Sequence, residues 1–192
     1  ERVVGFVTLH DVILIKKIQS KKHIISFKGK FSKNIGPKNT ISKLFKFLEK
    51  EKLLTSSKFE IKVNKYIPSK SGLGGGSMNA ANILKYLIKK KFINPSKKQL
   101  ISICKSIGSD VALGLNSTFT ILKSNNQIKE FKNCKKFYVL IVKPSFGCST
   151  KEIYSGVKKF TKPRFNKLSK KMFSFDNLKK LNNSLEAISL SK

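Results

Sequence analysis

Four glycines fall within five residues, at Gly72, Gly74, Gly75 and Gly76, with Pro68 before them and Ser77 and Asn79 after. Glycine lets successive backbone N–H groups turn toward an anion, and a helix starting directly behind adds its partial positive charge. The chemistry such a stretch offers is phosphate binding. It is neither of the two commonest phosphate loops. Walker A needs a Lys after the last Gly, and here Ser77 follows. The dinucleotide turn needs a third Gly where Gly72-Leu73-Gly74-Gly75-Gly76-Ser77 again has Ser77. A second residue stands apart. Most of the ten carboxylates lie among lysines, but Asp110 sits between Gly108-Ser109 and the apolar Val111-Ala112-Leu113. A carboxylate in that setting must be met by hydrogen bonds or cations. A helix N-cap or turn would satisfy it, and so would a place in a reaction site.

Both candidates need elements to hold them. Phe59, Ile61 and Val63 alternate with polar residues over 58–66, the period of a half-buried strand. Ala80, Ile83, Leu84, Leu87 and Ile88 recur at helical spacing over 79–91. The loop therefore joins a strand to a helix. Upstream, residues 3–15 read as buried strand and 24–31 as a second one. Gly36-Pro37 marks a turn before a helix that runs from Asn39-Thr40 to Leu54. Downstream, Pro95-Ser96 opens a helix over 97–106 that delivers the chain to Asp110. Strands are predicted over 117–122, 127–131 and 137–143. Ser149-x-x-Glu152 reads as a capping box for a helix through Phe160, and Phe175, Leu178, Leu181, Leu185 and Ile188 mark a final helix. His10 beside Asp11 is no catalytic pair, because strand neighbours point to opposite faces.

Composition bounds the rest. The 192 residues suit one medium domain, or one domain and part of another. No apolar run approaches a membrane span, so no membrane partner is expected. Cys104, Cys134 and Cys148 are odd in number and widely spaced, as reduced thiols of a cytoplasmic protein would be. With two histidines and no Cys-x-x-Cys, a protein metal site is not expected. The formal charge of +31 would normally suggest nucleic acid. Yet Arg2 and Arg164 are the only arginines among 41 basic residues, and the lysines are dispersed. That skew fits an AT-rich genome better than a reader of nucleic acid, which favours the Arg fork. Specific nucleic-acid binding is not expected.

The stretch from Pro68 to Ala81 resembles the Pro-x-x-x-Gly-Leu-Gly phosphate loop of the GHMP small-molecule kinases. Its longer form, Gly72-Leu73-Gly74-Gly75-Gly76-Ser77-x-Asn79-Ala80-Ala81, is similar to the branch that acts on cytidine diphosphate methylerythritol in non-mevalonate isoprenoid synthesis. That branch usually has a second Ser where this chain has Met78. Gly108-Ser109-Asp110-Val111 resembles the family's Gly-x-Asp-Val, which often continues Pro-Phe-Phe where this chain has Ala112-Leu113-Gly114. Residues 143–154 resemble the Pro-x-x-x-x-Ser-Thr-x-x-x-Tyr segment, Leu9 and Asp11 its Leu-x-Asp, and Asn182-Asn183-Ser184-Leu185-Glu186 loosely its Asn-Asp-Leu-Glu.

The resemblance implies an α+β fold, the GHMP kinase N-terminal domain of the ribosomal protein S5 domain 2-like kind. It has a mixed, mostly antiparallel sheet backed by helices. It implies an ATP-binding domain over 1–162 and the start of a second domain over 163–192. The family's N-terminal segment, with a lysine near the site and a Gly-Tyr-His motif, is not in the sequence. A part of a longer chain, inactive alone, is therefore expected. ATP and Mg2+ are the implied cofactors, with magnesium held by ATP and water. Pro68, Gly72, Leu73, Gly74, Gly75, Gly76, Ser77 and Asn79 would hold the nucleotide. Asn39 matches the position at the adenine, with helix N-cap as the equally open alternative. Asp110 would accept the proton of the substrate's tertiary hydroxyl. Ser149, Thr150 and Tyr154 would meet the cytidine substrate, Tyr154 against the ring. Lys70 is read as solvated. A monomer or homodimer is expected. The rival readings are a homoserine- or mevalonate-type kinase of the same family, which the triple Gly and Ser149-Thr150 disfavour, and a basic binding module.

Overall fold

Phe59, Ile61 and Val63 are completely buried in strand β4 (Lys58–Asn64), as their alternation predicts. In the computed structural model, which describes residues 1–124, 127–142, 150–158, 162, 165 and 168–191, two compact units form. One comprises Thr8–Ser69 and Leu73–Asn116. In it β4 is the middle strand of three. It pairs antiparallel with β2 (Val12–Ile18) and parallel with β3 (Ile24–Lys28). The parallel pair requires a crossover, and α1 (Thr40–Lys50) supplies it. Ile41, Leu44, Phe45 and Leu48 form its buried stripe. Against the same core lie α2 (Gly75–Lys89), through Ala80, Ala81, Ile83, Leu84 and Leu87, and α3 (Lys97–Ile107), through Ile103, Cys104 and Ile107. Each fully buried Leu or Ile contributes about 1.5–3 kcal/mol relative to exposure. Helix α2 is therefore anchored by its apolar face, not by propensity.

Helix ends follow local chemistry. Ser96 caps α3 in a capping box with Gln99. α1 stops at Lys50, short of Leu54. Lys52 turns left-handed (φ 55°), Lys52 N bonds Glu49 O and Leu53 N bonds Leu48 O, the Schellman pattern. α2 ends the same way at Lys91.

The other unit comprises Glu1–Val7, Lys70–Gly72 and Ser117–Lys192. Its sheet has the order β1 (Arg2–Val4), β5 (Phe119–Leu122), β6 (Ile128–Phe131), all antiparallel. Ile121, Cys134 and Phe173 form its small core. Several expectations are corrected. The strand read over 3–15 is broken, because β1 pairs with β5 whereas β2 pairs with β4. Residues 137–142 form no strand; Tyr138, Leu140 and Val142 are exposed, and no described strand pairs with them. Their apolar run has β-propensity, but propensity without a ladder partner makes no strand. The last helix is two, α6 (Phe175–Lys179) and α7 (Glu186–Leu190), separated where Asn183 Oδ1 takes Leu185 N–H in an Asx turn. Helix α5 (Thr150–Ser155) ends before Gly156, not at Phe160, and Ser149 lies outside the described residues. No described helix is long and apolar enough to cross a membrane.

At the far end of β4 from the loop, His23 is boxed in. Its ring centroid lies 4.1 Å from that of Phe45, and it stacks on Phe59. Its Nδ1 accepts Phe59 N–H at 3.1 Å, so Nε2 carries the proton. That Nε2 is 3.2 Å from Glu49 Oε1, which also pairs with Lys58. Burial holds the His23 pKa below its ordinary value, and the Lys58 ammonium does the same for Glu49. A depressed histidine pKa means the unfolded chain takes the proton first as pH falls. Stability should thus decline from about pH 7 to about pH 5, across the ordinary histidine range. Urea denaturation of His23→Leu should show that slope flattened. The second loss, below about pH 4, where the depressed carboxylates of Asp11 and Glu49 protonate, should persist in the variant.

Candidate functional site

The strand-to-helix connection is fixed by one carboxylate. The Asp11 side chain has no solvent exposure. Its Oδ1 accepts Tyr66 N–H at 2.8 Å and Ile67 N–H at 2.9 Å. Its Oδ2 accepts Asn79 Nδ2 at 2.8 Å and pairs with the Lys65 ammonium. Burial pushes the Asp11 pKa up, but the Ile67, Lys65, Asn79 and Tyr66 donors outweigh it and hold the carboxyl below its ordinary value. The start of β2, the end of β4 and the first turns of α2 therefore meet at one ion. Sequence reasoning missed this, although a signal was there. Lys65 continues the buried phase of Phe59, Ile61 and Val63, and it is only 5% exposed. A lysine on the core phase of a strand demands a buried partner.

From that anchor the chain reaches the N-terminus of α2. Gly74 is left-handed, with φ 65° and ψ 14°. Met78 N bonds Gly74 O at 3.0 Å as the first bond of the helix. The N–H groups of Gly75, Gly76 and Ser77 precede it, and the N-cap residue, Gly74, has no side chain to cap this end. Two glycines are needed for packing. A Cβ on Gly75 would come within 2.9 Å of Ile67 Cγ2, and one on Gly76 within 3.1 Å of Thr40 Oγ1. Thr40 Oγ1 donates to Gly76 O at 2.8 Å and ties the start of α1 to the loop.

Asp110 directly precedes α4 (Val111–Asn116), after the turn closed by Val111 N to Gly108 O at 3.0 Å. It is partly exposed, and Ser109 Oγ donates to its Oδ1 at 3.3 Å. A Cβ built on Gly74 would stand 3.7 Å from its Oδ2. The carboxylate thus lies against the left-handed glycine at the head of α2. A helix N-terminus and a carboxylate are side by side, although 36 residues separate 74 from 110 in sequence.

The unit that holds Asp110 also holds Gly74, Gly75, Gly76, Ser77, Asn79, Leu73, Pro68 and Asn39. Asn79 is buried and its amide serves Asp11. Asn39 is the N-cap of α1. Its Oδ1 accepts Ile41 N–H and Ser42 N–H, and its Nδ2 donates to Gly36 O. Gly72, left-handed at φ 73°, clusters with Lys70 and Ser71 in the other unit, as does Tyr154 on α5. Tyr154 OH accepts from Arg2 Nη2 at 2.6 Å. Thr150 starts α5, and Ser149 is not among the described residues. Among the described residues no three His, Cys, Asp or Glu side chains gather as metal ligands would.

Residues 39–122 match the family described as GHMP kinases N terminal domain. The chain is 52% identical over its whole length to a 4-diphosphocytidyl-2-C-methyl-D-erythritol kinase of Pelagibacter ubique, and spans 68% of that relative. It is 32% identical, over 97% of its length, to a protein of the same name from Clostridium botulinum, again spanning 68% of it. Among solved structures, a 4-(cytidine 5'-diphospho)-2C-methyl-D-erythritol kinase aligns with TM-score 0.54 at 22% identity, over 78% of this chain and 52% of that one. A homoserine kinase from Cytophaga hutchinsonii aligns with TM-score 0.51 at 18% identity, over 79% of this chain and 52% of that one. These two likenesses concern the fold alone.

The packing around the loop makes Gly75→Val a stability variant. The added side chain meets Ile67, so unfolding free energy should fall by about 1–3 kcal/mol, as for other overpacked cores. Ile67→Ala in the same chain should recover part of that loss. Denaturant midpoints of the two variants check both statements.

Proposed function

The chain belongs to the 4-diphosphocytidyl-2-C-methyl-D-erythritol kinases of the GHMP family, and we propose that it forms the nucleotide-binding and phosphoryl-transfer part of an enzyme that phosphorylates the 2-hydroxyl of 4-diphosphocytidyl-2-C-methyl-D-erythritol with ATP, in isoprenoid precursor synthesis. The observation that carries the mechanism is the Asp110 carboxylate against Gly74 at the uncapped end of α2. ATP, when bound, supplies the phosphoryl group, with Mg2+ shared between its phosphates and water to neutralise charge.

The residues present fit that donor. Gly75, Gly76 and Ser77 aim N–H groups outward from a helix end that no side chain caps, and α2 is 15 residues long. Backbone donors and the helix dipole suit phosphate oxygens. Ser77 adds a hydroxyl, while Gly72 and Leu73 complete the loop and Pro68 stiffens its approach. Asn79 supports the loop through Asp11. Asn39 serves the nucleotide side by fixing the start of α1, whose Thr40 holds Gly76. Asp110 would accept the proton of the tertiary hydroxyl as that oxygen bonds to the γ-phosphorus of ATP and the bond from that phosphorus to the departing ADP breaks. Phosphoryl transfer asks the protein mainly for positioning and charge stabilisation, so an aligned carboxylate is sufficient as the base. Ser149, Thr150 and Tyr154 meet the cytidine end. The division into an ATP-binding domain through Lys162 and the start of a second one, the cytoplasmic setting, and a monomer or homodimer belong to the same proposal.

In the complete enzyme, Asp110→Asn should lower kcat by about 10²–10⁴. The KM for ATP should change little, because the loop binds through its own backbone. Asn caps helices as well as Asp, so a capping role alone would leave both kcat and the melting temperature unchanged. Steady-state kinetics and thermal melts on the one variant separate the two roles.

A further inference from the structure

Two residues meet where α4 packs on α2. Gly114 is buried in α4, and Met78 lies in the first turn of α2. A Cβ on Gly114 would stand 2.7 Å from Ala81 Cβ and 3.0 Å from both Cε and Sδ of Met78. The approach to Ala81 Cβ is shorter than side chains tolerate, and the two to Met78 would require its thioether to shift, so α4 seats on α2 at a separation that glycine permits. Met78 then covers the space above that glycine. The seating has a consequence one turn away. Gly114 N bonds Asp110 O at 3.3 Å, which makes Asp110 part of the first turn of α4. Ahead of it, a Cβ on Gly108 would lie 3.5 Å from Ser77 Oγ. The turn carrying the carboxylate thus lies along α2, beside Ser77 at one end and tightly packed on Met78 and Ala81 at the other.

We propose that Met78 and Gly114 are a size-matched pair that sets the depth at which α4 seats on α2, and thereby the position of the Asp110 carboxylate against Gly74. Neither is a catalytic residue; both are positioning residues. The large side chain stands on α2 and the small residue on α4. Met is suited to such a gap because its unbranched thioether adapts to irregular space. This inference rests on Asp110 being the proton acceptor.

The test is a set of variants in the complete enzyme, with kcat, KM for ATP and melting temperature measured on each. Gly114→Ala should lower kcat by about 10-fold to 10²-fold, the loss expected when a reacting group moves by about 1 Å. The KM for ATP should stay within about twofold, since the loop's N–H groups are untouched. Combined with Asp110→Asn, the same substitution should give no further loss, because the position of an absent base no longer matters. Met78→Ser leaves Gly114 without its cover and should also lower kcat, whereas Met78→Leu, of similar volume, should not. If Gly114→Ala does not fold, the Met78 variants alone decide. Unchanged kcat in Gly114→Ala and Met78→Ser beside an impaired Asp110→Asn would overturn this inference and leave the proposed function standing. Losses at 110 and 114 that multiply in the double variant would likewise overturn it, as the packing would then act elsewhere. Unchanged kcat in Asp110→Asn would overturn the proposed function, and this inference with it.

Discussion

The arrangement depends on the burial of Asp11. An ionised carboxylate without solvent exposure is stable only if its lone pairs are filled and its charge is matched. Two backbone N–H groups, the Asn79 amide and the Lys65 ammonium do both. The constraint works in both directions. Tyr66 and Ile67 must present their N–H groups to one oxygen, which fixes the path of the chain as it leaves β4. Asn79 must present its amide to the other, which fixes the rotation of α2 about its axis. Removing Asp11 would leave Lys65 buried and unpaired, a change that typically costs about 3–5 kcal/mol. Buried apolar surface packs α2 onto the sheet, but an apolar face tolerates small rotations. The Asp11 ion does not.

Rotation matters because, in the proposed function, the loop binds phosphate through backbone. N–H groups cannot change rotamer, so their aim is the aim of the helix. Once Asp11 has set α2, the rest of the site follows by contact. Thr40 holds Gly76, Ile67 fills the space beside Gly75, and α4 seats on Met78 and Ala81. The carboxylate of Asp110 reaches Gly74 as the last step of this chain of contacts. The formal charge of +31 then favours approach of a doubly anionic nucleotide substrate without requiring any one lysine at the site.

Much of this was legible in the sequence, for identifiable reasons. β4 and α2 carry strong periodicity, and Phe59, Ile61, Val63, Ala80, Ile83, Leu84 and Leu87 are buried as it predicts. The loop and Asp110 were legible because glycine clusters and isolated carboxylates are rare in a lysine-rich chain. The Asn39 cap was one of two open readings at that position. What escaped reading was long-range. Asp11 and Lys65 are 54 residues apart, and no local pattern links them. The break between β1 and β2 is set by which sheet each joins, and the apolar run over 137–142 lacks a described partner strand. Periodicity reports how one segment wants to be buried, not what it will be buried against.

The glycines that persist here say where composition was not free to drift. In this chain lysine occupies positions that other proteins give to glycine. Lys52 and Lys91 take left-handed backbone at the ends of α1 and α2, with φ of 55° and 59°. Such strain costs about 1–2 kcal/mol per residue, and the protein accepts it where the side chain points to solvent. Gly74 has a similar φ of 65°, and a Cβ there would meet Asp110 Oδ2 only at ordinary van der Waals distance. Neither backbone strain nor a clash within the protein therefore distinguishes 74 from 52 or 91. The difference is what a side chain would obstruct. At 74 it would stand between the N–H groups of α2 and the Asp110 carboxylate, where the proposed reaction brings phosphate and hydroxyl together. On the proposed function the reason for Gly74 lies in the ligand, whereas Gly75, Gly76 and Gly114 have theirs in Ile67, Thr40, and Ala81 with Met78.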